Sequence, residues 1–373
     1  MSAFNLTYSV ADQNFQQTKS VGILNLSVQL VGRLAQRPEV KRLTVLSNRT
    51  LDDWLTLPAQ VPLQHHDQAI AGKLGRIWWD QFGVYRAARR SGNHWLFLPK
   101  GFASFAGRCP VKLVTCVADA NHDYYRRHYP HSMPKLESWY FRQALKATVR
   151  DSKIVFTISD FTSTEVARLA GDYGVPAPLI RTIGIGFPPR AVRAPEKRDR
   201  ILVLTSRWPH KRTDLAVAYL SRWQRETGYP GTVEWIGRIP EEVQMPQFPG
   251  WHRQVRVAEA EYRRLLAEAK ALVYFSDYEG FGMPPVEATI SGTCPVYSDL
   301  PATREVMAGA GCPFSNRAYE SFGRALETAL SVPGNRLETW ADNLLQRHNW
   351  DRVADRVVHE ICAWEAAHPQ ELA

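Results

Sequence analysis

An α/β chain of two doubly wound halves is the fold class the sequence predicts, on three observations. Short apolar runs of strand length alternate with helix-period stretches from end to end, the pattern of parallel sheets with crossover helices. The 373 residues exceed one ordinary hydrophobic core. A proline-rich, charged tract without apolar periodicity, Pro188 to Arg200 (PPRAVRAPEKRDR), lies near the middle and reads as a linker. The expected organisation is a first domain over residues 1–190, a second over 191–349, and a terminal helix over 350–373.

In the first half, Phe4 to Val10 reads as a strand, and a polar loop leads to Val21-Gly22-Ile23 and a helix from Leu24 to Leu34. Gly22 opens that helix, as a simple turn or as a close backbone approach to a ligand. Arg42 to Leu46 is the next strand. Lys73 to Arg90 (KLGRIWWDQFGVYRAARR) reads as a helix that interleaves aromatic and cationic residues. Its aromatics are either core with solvated cations around them, or part of a membrane- or acceptor-contacting face that includes Arg86, Arg89 and Arg90. Trp95 to Leu98 and Val111 to Val117 are buried-type strands, the latter ending at Ala118-Asp119, where open α/β sheets gather active residues. A helix from Leu136 to Val149, a strand from Lys153 to Thr157 and a helix capped by Ser159 or Asp160 follow. Arg181 to Ile185 leads to the linker.

In the second half, strand Ile201 to Leu204 runs into Thr205-Ser-Arg-Trp-Pro-His-Lys-Arg212 and a helix from Asp214. Cations crowded at a helix N-terminus make structural sense around a bound anion, with a solvated loop as the alternative. Val233 to Ile236 with Gly237 is a strand and turn. Ala271 to Ser276 is a buried strand that breaks at Asp277-Tyr278-Glu279, passes Gly280-Phe281-Gly282, and enters a helix behind Pro284-Pro285, where missing N–H groups do no harm. The amides of Gly280 to Met283 would then face phosphate or hydroxyl oxygens. Two carboxylates, Glu279 and Glu287, frame the turn; an ordinary crossover with two solvated glutamates would look alike. Gly292 to Asp299 is a strand and turn, Glu305-Val306 opens a further element, and Trp350 to Ala366 is an amphipathic helix.

Composition sets outer bounds. Apolar residues make up 45% of the chain, normal for a globular protein. No run of eighteen apolar residues exists to span a bilayer, and Met1 to Val10 lacks the basic start and apolar block of a secretory leader. A cytoplasmic place, peripheral on the inner face of the membrane if the basic face is used, is therefore expected. Cys109, Cys116, Cys294, Cys312 and Cys362 form no metal spacing or disulfide framework and read as small buried residues. Residues 1–190 carry 24 Lys and Arg against 13 Asp and Glu, whereas residues 191–373 carry 22 against 24. A basic first half suits an anionic membrane surface or a polyanionic saccharide. Nothing resembles a nucleic-acid-binding module, so nucleic acid is not an expected partner.

The order Glu279-Gly-Phe-Gly-Met-Pro-Pro-Val-Glu287, two glutamates with seven residues between them, resembles the signature of retaining glycosyltransferases of glycosyltransferase family 4. The resemblance covers nearly the whole chain and is most specific from Ile201 to Glu305. It implies the GT-B fold, two Rossmann-like domains facing across a cleft, the terminal helix crossing back to the first. It implies transfer of a hexose or deoxyhexose, mannose or rhamnose, from a GDP-, dTDP- or UDP-linked donor to a saccharide or lipid-linked acceptor in lipopolysaccharide, capsule or exopolysaccharide assembly. Arg207 and Lys211 would hold the donor diphosphate in place of a metal ion, so no metal or other cofactor is expected, although a glycine is usual where Thr205 stands and His210 or Arg212 would share the work. Glu279 would hold the sugar hydroxyls and Glu287 the ribose, beside Gly280, Phe281, Gly282 and Met283. Val255 to Leu265 would frame the nucleobase, and Gly22 would approach the diphosphate or acceptor. The family's usual His-Asp pair is Ala118-Asp119 here; either His122 substitutes from the loop or a 6-deoxy sugar needs no such contact. A sugar-nucleotide epimerase or a phosphorylase on the same architecture, and a non-catalytic polyanion- or lipid-binding protein, are the alternative readings.

Overall fold

The computed structural model describes residues 3–14, 21–189 and 196–372. The chain forms two compact units, Met1–Gly186 with His348–Ala373, and Phe187–Arg347. Residues 190–195 of the expected linker and 15–20 of the first polar loop lie outside the described residues.

The first unit is built on a seven-stranded parallel sheet: β1 (Phe4–Ser9), β2 (Val40–Ser47), β3 (Leu63–His65), β4 (Trp95–Leu98), β5 (Lys112–Val117), β6 (Ile154–Thr157) and β7 (Leu179–Thr182), in the order β3-β2-β1-β4-β5-β6-β7. Its crossovers carry α1 (Val21–Leu34), α2 (Lys73–Trp78), α3 (Val84–Ser91), α4 (Asn121–His128), α5 (Lys135–Asp151) and α6 (Asp160–Tyr173). Strands covered on both faces need continuous apolar runs, and β4 (WLFL) and β6 (IVFT) are buried throughout. Tyr8, Phe97 and Phe156 stack in series, with centroids 4.9 and 5.9 Å apart. The Ser159 hydroxyl accepts from the Thr162 amide to start α6.

The stretch Lys73 to Arg90 is helical from end to end, as its pattern predicts. A π-helical turn, Trp79–Gly83, separates α2 from α3. Its aromatics divide between the two expectations: Trp79 and Tyr85 are core, while Ile77, Trp78 and Phe82 are exposed.

The second unit holds β8 (Arg198–Thr205), β9 (Thr232–Gly237), β10 (Trp251–Gln254), β11 (Ala269–Tyr274), β12 (Cys294–Ser298) and β13 (Cys312–Phe314), all parallel, in the order β10-β9-β8-β11-β12-β13. Its helices are α7 (Thr213–Thr227), α8 (Glu259–Glu268), α9 (Met283–Ile290), α10 (Pro301–Met307), α11 (Tyr319–Leu330) and α12 (Gly334–Arg347). Strand alternation sends Ile201, Val203, Ala271 and Val273 to one core and Leu202 and Leu272 to the other. Residues 198–200, expected in the linker, are the first residues of β8, where Arg200 pairs with Glu268 at 2.9 Å. Glu305 and Val306 lie inside α10 rather than opening it: the helix starts at Pro301, and the Thr303 hydroxyl accepts from the Leu300 amide at 3.0 Å.

The last long helix, α13 (Trp350–Ala367), belongs to the first unit. Asn349 caps it by accepting from the amides of Asp351 and Arg352. Glu365 is buried, accepts from Trp95 Nε1 at 2.7 Å and pairs with Lys112 at 2.9 Å. A buried carboxylate needs such partners, and removing one would leave an uncompensated charge. Trp364 packs edge-on against Trp95, and Arg356 donates to the Ile183 carbonyl. A Cβ on Gly186 would meet the Trp350 ring at 2.4 Å, so only glycine admits that indole. Four of the five cysteines are buried; Cys109 is half-buried.

Candidate functional site

In a doubly wound sheet, the strands on either side of the reversal diverge at their carboxyl ends and leave a crevice between the loops that follow them. In the second unit those strands are β8 and β11, and their loops carry the residues singled out by sequence. Lys211 Nζ lies 2.5 Å from both Glu279 Oε1 and Tyr274 Oη, and the Tyr274 hydroxyl donates to Glu279 Oε1 at 2.7 Å. Burial pushes the Glu279 carboxyl up, but the Lys211 charge and the hydrogen bonds from Lys211 and Tyr274 outweigh it and hold it below the usual carboxylate range. Burial, with Glu279 beside it, pushes the Tyr274 phenol well up, so it stays a neutral donor. Tyr274 carries no mark in the sequence because it sits inside an apolar run, Ala271 to Phe275. The structure ends β11 at Tyr274, which puts its hydroxyl at the carboxyl end of the sheet.

The four basic side chains of the loop after β8 separate into distinct roles. Arg207 is exposed and lies over the Trp208 ring, 5.3 Å from its centroid. It has no carboxylate partner among the described residues. Lys211 holds Glu279. Arg212 does not join them: it adopts a left-handed backbone (φ 43°), donates to Asp214 at 3.0–3.1 Å and pairs with Asp277 at 3.1 Å. His210 does not supply charge either. It is buried, and burial with the neighbouring Lys211 lowers it to about 3, so the ring is neutral at physiological pH. Its carbonyl instead accepts from the Asp277 amide at 2.7 Å, which ties the two loops together. Asn316, another residue the sequence did not flag, donates to the Ser276 carbonyl and Asp277 and accepts from Ser298.

Gly282 precedes α9 with φ 85°, and a Cβ there would meet Thr303 Cγ2 at 2.8 Å. Backbone conformation and space both demand glycine. The helix N-terminus is a narrower anion cradle than expected. Of the amides left unpaired by helix geometry, those of Gly282 and Met283 remain as donors, because Pro284 and Pro285 carry no N–H. Gly280 and Phe281 are buried. Glu287, in the second turn of α9, is raised to about 7 by burial and the nearby Glu259, with Arg263 opposing.

In the first unit, the Asp119 carboxylate accepts from the Asn121 amide at 2.9 Å and so turns the chain into α4. His122 is not on a loop but in the first turn of α4, its ring 3.8 Å from that of Phe141 and edge-on to Phe102. Asp123 is buried against Arg126, Arg127 and Arg168. Gly22 lies in the first turn of α1. Arg86, Arg89 and Arg90 are exposed on α3, and Arg86 reaches the Trp78 ring at 5.9 Å. No group of three His, Cys, Asp or Glu side chains disposed for a metal ion occurs among the described residues.

Comparison with solved structures assigns the architecture. Over 96% of this chain and 100% of the other, it superposes on Anabaena HepE bound to UDP-glucose with a TM-score of 0.67 at 12% identity. Sucrose-phosphate synthase of Thermosynechococcus elongatus gives 0.66 at 14% identity, over 98% and 100% of the two chains. The chain thus has two Rossmann-like domains of the GT-B glycosyltransferase architecture. Within the second, residues 253–346 match the family described as Glycosyl transferases group 1. The O-antigen chain mannosyltransferase RfbU of Salmonella typhimurium is 25% identical over 246 residues, 63% of this chain and 66% of that protein. An O-antigen chain mannosyltransferase B of Escherichia coli is 25% identical over 207 residues, 49% and 52% of the two. The chain matches about half to two thirds of the length of these relatives.

Proposed function

We propose that the protein is a retaining glycosyltransferase that moves a hexose or deoxyhexose from a nucleotide-sugar to a saccharide or lipid-linked acceptor in surface-polysaccharide assembly. The observation that carries this is the Lys211–Tyr274–Glu279 cluster at the carboxyl ends of β8 and β11. The glycosyl transferases group 1 match at 253–346 and the relatives named O-antigen chain mannosyltransferases support the class and favour mannose.

In this reading Arg207 and Lys211 take the donor diphosphate, with the Gly282 and Met283 amides beside them. Transfer breaks the bond between the anomeric carbon and the diphosphate oxygen. The leaving charge is met by cations held in place before the reaction, the largest electrostatic contribution a site of this kind offers. A carboxylate kept ionised, as Glu279 is, stabilises the positive charge that develops on the sugar. The acceptor oxygen then bonds to the same face of that carbon, and its proton passes to the departing phosphate oxygen. Glu287 binds the ribose hydroxyls. The two cations make a metal ion unnecessary, and undiminished turnover in excess EDTA is the expected result. Ala118, where a histidine would reach the sugar, leaves rhamnose open beside mannose.

Thermal stabilisation by GDP, UDP, dTDP and ADP tests the donor site, with Arg207→Ala as control. A nucleotide at about a hundred times its dissociation constant should add roughly 2.7 kcal/mol. One nucleotide should raise the melting point, and the variant should lose the effect. Supplying the matching nucleotide-sugar without acceptor separates the rivals: an epimerase would convert it, whereas a transferase would not. Stabilisation by none of the four would overturn the reading.

A further inference from the structure

The first unit carries an apolar and cationic stripe that the donor site does not use. Positions 74, 78, 82, 86 and 90 all face solvent, and their side chains run Leu, Trp, Phe, Arg, Arg. In an uninterrupted α-helix, a four-residue spacing drifts about 40° per step. The π-helical turn at Trp79–Gly83 takes up extra residues and counters that drift, which helps hold the five on one side. Leu74 is 83% exposed, Trp78 42% and Phe82 45%, a large apolar exposure for one short segment. Trp79, next to Trp78, is buried against His66 and the core. One indole therefore anchors the segment while the other faces out.

The base of the stripe is pinned. Buried Gln81 accepts from the amides of Phe105 and Ala106, and its carbonyl accepts from the Ser104 hydroxyl. Tyr140 on α5 donates to Asp80 and accepts from Gln81. These bonds bring the first turns of α5 beside the π turn, and there too large apolar side chains, Leu136 and Trp139, stand in solvent. Across Lys73 to Arg90 the exposed charge has one sign: Lys73, Arg76, Arg86, Arg89 and Arg90 are exposed and the one acidic residue, Asp80, is half-buried, while on α5 the exposed Lys135 and Glu137 offset each other.

We propose that this face docks on an anionic lipid bilayer, with Leu74, Trp78 and Phe82 entering the headgroup boundary and Arg86, Arg89 and Arg90 meeting the lipid charge. An apolar crest of this kind beside cations suits the interface of an acidic membrane, where apolar depth and surface potential act together. It stands apart from the transferase reading, since none of these residues belongs to the donor site.

The test is co-flotation of the full chain with vesicles of phosphatidylcholine alone or with one third phosphatidylglycerol, at low and high salt. Binding should require phosphatidylglycerol and weaken with salt. The triple change of Arg86, Arg89 and Arg90 to Ala should weaken it about 100-fold, at roughly a fivefold loss per cation. L74S/W78S/F82S should weaken it about as much and leave a residue that salt abolishes entirely. Both variants should keep the parent melting point and nucleotide response, because the altered side chains are exposed. Absence of binding to the acidic vesicles overturns the proposal. So does binding that the apolar triple leaves unchanged, or a self-association of the parent that the same triple dissolves.

Discussion

The two units reverse their strand order at the same topological place, and each puts a lysine–carboxylate pair there with the polarity exchanged. In the second unit the lysine, Lys211, follows β8 and the carboxylate, Glu279, follows β11. In the first, the carboxylate, Asp12, follows β1 and the lysine, Lys100, follows β4. The third charged group differs in sign. Exposed Arg207 gives the second unit a cation in excess, whereas Asp80, raised by burial and by Asp12 against the pull of Lys100 and Arg76, gives the first a carboxylate in excess. The fold chooses where charge converges; the side chains choose which ligand charge is welcome. The first half of the sequence is strongly basic, yet its crevice sets Asp12 and Asp80 against Lys100, with the exposed Arg76 also acting on Asp80. Much of the cationic excess lies elsewhere, on surfaces such as α3.

If this contrast carries function, the largest effect comes from its cationic side. Lys211→Ala should lower sugar transfer by about 10²- to 10³-fold, while Lys100→Ala should leave nucleotide affinity, read by calorimetry below the melting point, unchanged. Equal loss of nucleotide from both would erase the distinction. Next in size is Gly282→Ala, which forces alanine into a left-handed conformation against Thr303 and should cost about 3 kcal/mol in denaturant unfolding. A cost below about 1 kcal/mol would mean that the threonine side chain yields.

The pH responses should be smaller. Glu287 titrates near about 7, and an ionised carboxylate is the better acceptor for ribose hydroxyls, so nucleotide affinity should rise from pH 6 to pH 8 by up to about tenfold. Glu259→Gln removes a charge that raises Glu287 and should move that midpoint to lower pH. A flat profile in both proteins would take Glu287 out of the nucleotide site. Smallest is Asp80→Asn. A carboxyl raised in the folded state binds a proton there that the unfolded chain has released. Stability therefore falls as pH climbs from the ordinary carboxylate range toward neutrality. The amide should remove that fall and raise the melting point above neutral pH by a few degrees, roughly what 1 kcal/mol gives a domain of this size.

The sheet-forming segments were legible because buried parallel strands must be apolar runs and their crossovers must be helical. Strands β3, β10 and β13 were not. They are three or four residues long, and Leu63-Gln-His65 or Trp251-His-Arg-Gln254 has no apolar run to betray it. In the candidate site, Glu279, Gly282 and the basic loop stand out by their order along the chain. What order cannot convey is how neighbours divide the work. His210, Lys211 and Arg212 are consecutive, yet one is buried and neutral, one is held on Glu279, and one is tied to two aspartates. Those fates depend on Tyr274, Asp277 and Asn316, which come from strands and turns distant in sequence. The π turn was equally hidden, since its residues satisfy helical periodicity on either side.

The closing segment of the chain has a bearing on how the protein is made. Residues 187–347 are continuous, so the second unit has all its parts as soon as Arg347 clears the ribosome. The first unit is begun earlier and finished later. Until Glu365 arrives, Lys112 lacks its buried counter-charge and Trp95 its acceptor, and the Trp364 ring is not there to cover them. Synthesis order and completion order are thus inverted, and for more than 160 residues of translation the nascent N-terminal sheet stands without the helix that covers Trp95 and Lys112.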